Sequence, residues 1–269
     1  MNPFHNTICL LTGAASGIGR GLSEELARRG ARVVVADLDE AGAERVSAGI
    51  GERAVARRVD VADAAAVEAL VQEVVASHGR LDYIFNNAGF AVHGDSLDST
   101  VEQWRRIVDV NLMGVVHGSL SAYRVMAAQG HGHIVNTASL AGLIGSASFS
   151  SYAMTKAGVV MLSKMLRHEG ADAGVRVTAV CPGFIKTGIY ENATYNRVDQ
   201  RAAFAQIPFP LMDLDVAVDK ILRGVARNKE LVVFPFYARL LWWLARFAPW
   251  LTVPVHRKTI RDLRKIRQG

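Results

Sequence analysis

The sequence predicts an α/β domain in which a parallel sheet is covered by helices on both faces. Three observations predict it. Short, continuous apolar runs recur along the chain, as strands buried on both faces require. Amphipathic stretches of helical period stand between them. A glycine-rich turn over residues 12–19 joins the first run to the first such stretch.

The strand-like runs cover residues 7–12, 32–37, 54–60, 81–86, 133–137, 176–181 and 230–234. The stretch between the third and fourth runs shows its helix signals clearly. Asp63 suits the N-cap, Val67, Leu70, Val71, Val74 and Val75 form a buried stripe, and Gly79 ends the helix. Ser99 and Glu102 stand at capping-box spacing ahead of the next helix. No repeat, low-complexity segment or internal linker interrupts the pattern, so the 269 residues suit one large domain over 1–235 and an extension over 236–269. Within the domain, 183–212 is a long connection of the kind that usually binds substrate.

Composition narrows the class. Half of the residues are apolar and 21% are charged. Cys9 and Cys181 are too few for a disulfide framework and sit in apolar runs, which suits small core side chains and a reducing, cytoplasmic setting. The first strand begins so early that a signal peptide has no room before it. The net charge is +6, but residues 256–269 hold six Lys/Arg against the single acid Asp262. The basic balance therefore belongs to the tail, and nucleic acid is not an expected partner.

The turn reads Gly13-Ala14-Ala15-Ser16-Gly17-Ile18-Gly19, a Gly-x-x-x-Gly-x-Gly spacing between a strand and a helix. Glycines there permit positive φ and let backbone N–H groups approach a pyrophosphate at the helix N-terminus. The second run ends in Asp37, whose carboxylate can accept from adenosine ribose hydroxyls and would repel a 2′-phosphate. No arginine stands in the turn or directly after Asp37, which favours NAD over NADP. The competing reading makes Asp37 a cap for the next helix, a task Asp39 could perform equally well.

Tyr152 and Lys156 lie four apart on a predicted helix and share a face. A free phenol titrates near pH 10 and is a poor base at neutrality. A neighbouring ammonium and an oxidised nicotinamide would favour the phenolate. Ser139, just after the fifth run, can hydrogen-bond a substrate oxygen. His131 and His133 read as a surface turn around Gly132, and His168 as a partner for a helix C-terminus.

The chain resembles the short-chain dehydrogenase/reductase family. The likeness rests on Thr12–Gly19, Asn86-Asn87-Ala88-Gly89, Asn111, Ser139, Tyr152-Ala-Met-Thr-Lys156 and Pro182-Gly183, in the family's order and spacing, and covers about residues 6–234. The resemblance implies a Rossmann-type, doubly wound sheet of seven parallel strands and an Asn111–Ser139–Tyr152–Lys156 tetrad. In that scheme Tyr152 exchanges a proton with the substrate oxygen, Lys156 holds the nicotinamide ribose and lowers the Tyr152 pKa, Ser139 orients the substrate, and Asn111 holds a water linking Lys156 to solvent. Asp60 and Val61 match the adenine-contacting pair, and Asn87, Ala88 and Gly89 line the cofactor cleft. Pro182, Gly183 and Ile185 border the nicotinamide, and Thr187 matches the hydroxyl near its carboxamide. The family commonly forms homodimers and homotetramers.

Phe90, Ala91, Val92, Leu140, Ala141, Leu143, Ile144, Phe184 and Ile185 are the residues expected around the substrate, with Lys186 standing alone in the loop. That lining suits a neutral, lipophilic secondary alcohol or ketone, such as a steroid, terpenoid or long-chain compound. Two other readings stand beside an NAD-dependent dehydrogenase: a lyase or epimerase using bound NAD, and a non-catalytic NAD(P) sensor. The extension is rich in Leu and Trp over 240–251 and basic beyond it. It is too interrupted to span a bilayer, and suits a neighbouring subunit, the cleft, or interfacial membrane contact.

Overall fold

The computed structural model describes residues 2–205, 207 and 209–268. Its strands are β1 (Ile8–Thr12), β2 (Arg32–Asp37), β3 (Ala54–Arg58), β4 (Tyr83–Asn86), β5 (Val92–Gly94), β6 (Gly132–Thr137), β7 (Val175–Pro182), β8 (Thr194–Asn196) and β9 (Leu231–Phe234). Seven of them form one sheet in the order β3-β2-β1-β4-β6-β7-β9, every pair parallel. The order reverses between β1 and β4, the switch point beside which open α/β sheets bind ligands. β5 and β8 pair separately as a small parallel sheet.

The helices are α1 (Gly17–Arg28), α2 (Glu40–Ile50), α3 (Ala64–His78), α4 (Val101–Val108), α5 (Gly114–Gln129), α6 (Ala141–Ile144), α7 (Ser150–Glu169), α8 (Gln200–Ala205), α9 (Leu214–Ala226), α10 (Phe236–Phe247) and α11 (Val253–Lys265). Alternation along β1 shows why the apolar runs are continuous. Cys9 and Leu11 join one buried cluster with Leu22, Leu26, Val218 and Ile221 of α1 and α9. Ile8 and Leu10 join the other with Val67, Leu70, Ala122 and Met126 of α3 and α5. Each large aliphatic side chain buried in this way contributes about 1.5–3 kcal/mol. This sheet, doubly wound and Rossmann-like, is the one expected.

Several local expectations need correction. The capping box before α4 is built by Thr100 and Gln103, not by Ser99 and Glu102. The Ser99 hydroxyl instead accepts from Asn196 Nδ2 at 3.0 Å. His133 is not in a surface turn: β6 starts at Gly132, and the His133 ring is buried with Nε2 at 2.8 Å from Thr178 Oγ1. Lys186, the lone cation expected around the substrate, pairs with Asp213 at 2.6 Å. The 183–212 connection contains β8 and α8, and β8 ties it to β5. Other expectations fit: Asp63 caps α3, Gly79 closes it in a left-handed conformation, and both cysteines are buried.

Candidate active site

The site stands at the carboxyl ends of β1, β4 and β6. Thr12 closes β1, and its Oγ1 accepts the N–H groups of Asn87 and Ala88 at 3.1 and 3.3 Å. Asn87 Nδ2 donates to Gly13 O at 3.1 Å, and Thr137 Oγ1 donates to Asn87 Oδ1 at 3.2 Å. Three strand ends are thereby tied to the glycine turn. Gly13 and Gly17 have φ of +63° and +50°, conformations that other residues rarely adopt. A Cβ on Gly13 would lie 2.6 Å from Ala88 Cα, and one on Gly19 would lie 2.1 Å from Gly13 O. Ser16 is the N-cap of α1 with no side-chain capping bond, and no acid stands in the first helical turn. The turn is thus a close backbone cradle at a helix N-terminus, suited to a phosphate.

Asp37 does not cap α2; Asp39 does, accepting from Gly42 N–H. Asp37 instead accepts from Ala15 N–H at 2.9 Å and from Asp39 N–H at 3.0 Å, which holds its carboxylate against the glycine turn. Asp60 is exposed and accepts from Ala62 N–H, whereas Val61 is buried and its carbonyl lies 3.0 Å from His117 Nδ1. Across the cleft, Thr187 Cβ lies 3.4 Å from where a Gly17 Cβ would stand. The Pro182 carbonyl accepts from Leu140 N–H at 2.9 Å, and Gly183 N–H donates to Phe234 O at 2.7 Å. Ile185 is buried in the core and bridges to Met212. Its neighbour Ile18 packs against the same cluster.

Ser139 follows β6, and α7 carries Tyr152 and Lys156. Burial pushes the Tyr152 phenol above its ordinary value, and hydrogen bonding with Ser139 works against that shift. The Lys156 Nζ lies 5.7 Å from the Tyr152 ring centroid and donates to Thr137 O at 2.7 Å. The lysine therefore stands beside the phenol ring, where a charged ammonium favours the phenolate. Asn111 sits in a π-helical segment, Asp109–Met113, a geometry common at functional sites. Its side chain accepts from Phe90 N–H at 3.0 Å and donates to Phe90 O at 2.8 Å, so its amide fixes the chain beside Gly89.

Burial also pushes Lys156 down to about 8 from 10.5. Below that value the folded chain carries a buried ammonium, whereas the unfolded chain stays protonated up to about 10.5. Between the two values the unfolded state binds the additional proton, so stability rises with pH across that window. Lys156→Met should lack this rise. Urea unfolding of both proteins across the window checks it, and parallel stability curves would contradict the perturbed lysine.

Three contributors were not read from the sequence. Tyr190, on the 183–212 segment, has its phenol pushed above its ordinary value by burial and, second, by Tyr152. The Tyr237 hydroxyl, on α10, accepts from Phe184 N–H at 2.9 Å, and its ring stacks on Phe209 at 4.2 Å. His93 Nε2 lies 3.1 Å from Ser148 Oγ, and its ring packs on Phe149, which meets Tyr152 edge-on. None carries a sequence signal, because each acts through partners far along the chain.

A single doubly wound sheet, a glycine cradle at its switch point and a Ser139–Tyr152–Lys156 set beside that cradle define the class. The chain belongs to the short chain dehydrogenase family, which it matches over residues 7–197. It is 36% identical over 259 residues to the "Probable oxidoreductase EphD" of Mycobacterium tuberculosis, covering 91% of this chain and 44% of that protein. The chain thus spans less than half the length of that curated relative. It is 40% identical over 190 residues to the cyclohexanol dehydrogenase of an Acinetobacter strain, covering 69% of this chain and 76% of the relative. Among solved structures, a short chain dehydrogenase/reductase from Burkholderia phymatum in complex with NAD superposes with a TM-score of 0.85 at 29% identity, covering 94% and 97% of the two chains.

Proposed function

We propose that this chain is an NAD-dependent oxidoreductase interconverting a secondary alcohol and a ketone, on a neutral lipophilic substrate. The observation that carries the reading is the placement of Ser139, Tyr152 and Lys156 beside a glycine turn that has no room for a side chain at Gly13 or Gly19. The residues fit a dinucleotide: a phosphate-sized cradle, a carboxylate at Asp37 and no basic group in the turn for a 2′-phosphate. The likeness to a cyclohexanol dehydrogenase supports alcohol–ketone chemistry, and the NAD complex of the Burkholderia relative supports the cofactor.

When bound, the nicotinamide supplies a two-electron acceptor for the carbinol hydride. In the oxidation direction Tyr152 takes the hydroxyl proton as the carbinol C–H bond breaks, and it returns that proton in reduction. Desolvation keeps the buried Tyr152 phenol protonated, so it holds the proton that reduction needs, whereas oxidation depends on charge that favours the phenolate. Lys156 stands 5.7 Å away to provide part of it. Ser139 hydrogen-bonds the same oxygen centre and aligns the substrate. Leu140, Ala91, Val92 and Ile185 are buried around this end of the site, so an anionic substrate would find no clamp among them.

For cofactor choice, Asp37→Ala should raise the Michaelis constant for NAD and lower that for NADP, because it removes the carboxylate that repels the 2′-phosphate. The substitution also frees Ala15 N–H, and a merely loosened turn would weaken both cofactors alike. Steady-state kinetics with the two cofactors separate these outcomes, and a wild type that prefers NADP sinks the assignment. The homo-oligomer that the family implies would use the apolar surface of α5 and α7, where Leu120, Met154, Met161 and Met165 are exposed.

A further inference from the structure

The extension carries two faces of different fate. On α10, Tyr237, Ala238 and Leu241 turn inward, and Tyr237 holds Phe184 and Phe209 of the substrate segment. On the opposite side Phe236, Leu240, Trp243 and Phe247 follow helical spacing and are all exposed, Phe236 at 79% and Trp243 at 63%. The exposed row continues into the Pro249–Leu251 turn, where Trp250 is 67% exposed. A helix that is apolar on its solvent side needs a partner.

Charge decides the partner. From 231 to 261 the chain contains no Asp or Glu but holds Arg239, Arg246, Arg257, Lys258 and Arg261. The ion pairs of the tail take up Lys258, Lys265, Arg264 and Arg267. Among the described residues Arg239, Arg246, Arg257 and Arg261 pair with no carboxylate, and all four are exposed. Arg239 and Arg246 stand seven apart, along one flank of the apolar row. A second copy docking face to face through a two-fold axis would bring these unneutralised cations against their own kind. An anionic lipid surface meets both demands, taking aromatic rings at the interfacial level and arginines at the headgroups.

α11 adds a second observation. Leu263 is buried with Val198 and Ala203, and Arg264 and Arg267 reach Asp95 and Asp98. The tail is thereby fastened to the substrate segment, leaving Arg257 and Arg261 on its outer side. No helix among the described residues is long and apolar enough to cross a membrane, so any contact is one of lying on the surface.

We propose that α10, the Pro249–Leu251 turn and the outer side of α11 form a monotopic seat on an anionic membrane surface, with Phe236, Leu240, Trp243, Phe247 and Trp250 entering the interface and Arg239, Arg246, Arg257 and Arg261 meeting the headgroups. Because α10 and α11 both grip the 183–212 segment, the substrate side of the protein then lies next to the bilayer. The docking itself does not depend on the identity of the reaction.

Flotation with vesicles of phosphatidylcholine alone, or with added phosphatidylglycerol, tests the seat on the full chain. The protein should float with the anionic vesicles and be released by rising salt. The double variant Arg239→Glu/Arg246→Glu should lower partitioning by at least about tenfold. Trp243→Ser/Phe247→Ser should abolish it while leaving the melting temperature unchanged, since both side chains are exposed. In the wild type, brominated lipid should quench tryptophan fluorescence, a readout that needs no variant. Absence of flotation with anionic vesicles at low salt overturns the proposal, as does equal flotation of both variants. Self-association in sedimentation velocity that Trp243→Ser/Phe247→Ser abolishes, in a wild type that does not float, assigns the face to a second copy and also overturns it.

Discussion

Tyr152→Phe is expected to lose about 10²–10⁴-fold in turnover while binding cofactor as the wild type does. The substitution removes one oxygen from a ring whose position is set by Phe149 at 6.3 Å and by Lys156 beneath it. Neither contact involves the hydroxyl, so the variant should fold and keep its cleft. The loss falls on the proton transfer alone, and it should appear in kcat and kcat/KM together. Stopped turnover beside an unchanged cofactor titration is the expected pair of results. A variant that turns over near the wild-type rate removes Tyr152 from the chemistry.

Gly19→Ala is expected to damage the opposite half of the site. The new Cβ would stand 2.1 Å from Gly13 O and 2.7 Å from Asn87 Nδ2. The first obstacle is backbone and cannot rotate away, so the turn must open. Overpacking of this sort costs about 1–3 kcal/mol. The displaced strand-to-helix turn is also the proposed phosphate cradle, so cofactor affinity should fall together with the melting temperature. Fluorescence titration with NADH and a thermal melt read the two effects. Unchanged affinity in a variant with wild-type stability would show that the turn is not the cradle described.

What the sequence displays follows from how its signals arise. The central sheet was legible because β1 and its neighbours bury both faces, and a parallel strand of this kind is apolar without interruption. The cradle and the Tyr152–Lys156 pair were legible because their members are close in the chain. The cap of α4 was misassigned because two hydroxyls and two capping partners stand side by side. Asn196, 97 residues away, takes the Ser99 hydroxyl and leaves Thr100 to the helix. His133 opened the predicted run, but its ring was read as exposed because the partner that covers it, Thr178, lies 45 residues further along the chain.

The extension shows the same limit at longer range. Its apolar and basic content could be read, but not which side would be covered. Arg264 and Asp95 are 169 residues apart, and no local pattern announces that pair. Tyr237 lies beyond the 7–197 stretch that the family shares, and its role depends on Phe184 and Phe209 folding over it.

The proposed reaction moves a hydride between a secondary alcohol and NAD, with Tyr152 handling the proton. The most direct test is nicotinamide absorbance during incubation of the wild type and Tyr152→Phe with NAD and a graded series of secondary alcohols, from cyclohexanol to larger apolar ones. The wild type should form NADH with at least one neutral apolar alcohol, and the variant none above background. Binding of NAD without NADH formation from any member, or formation that Tyr152→Phe leaves intact, would contradict it.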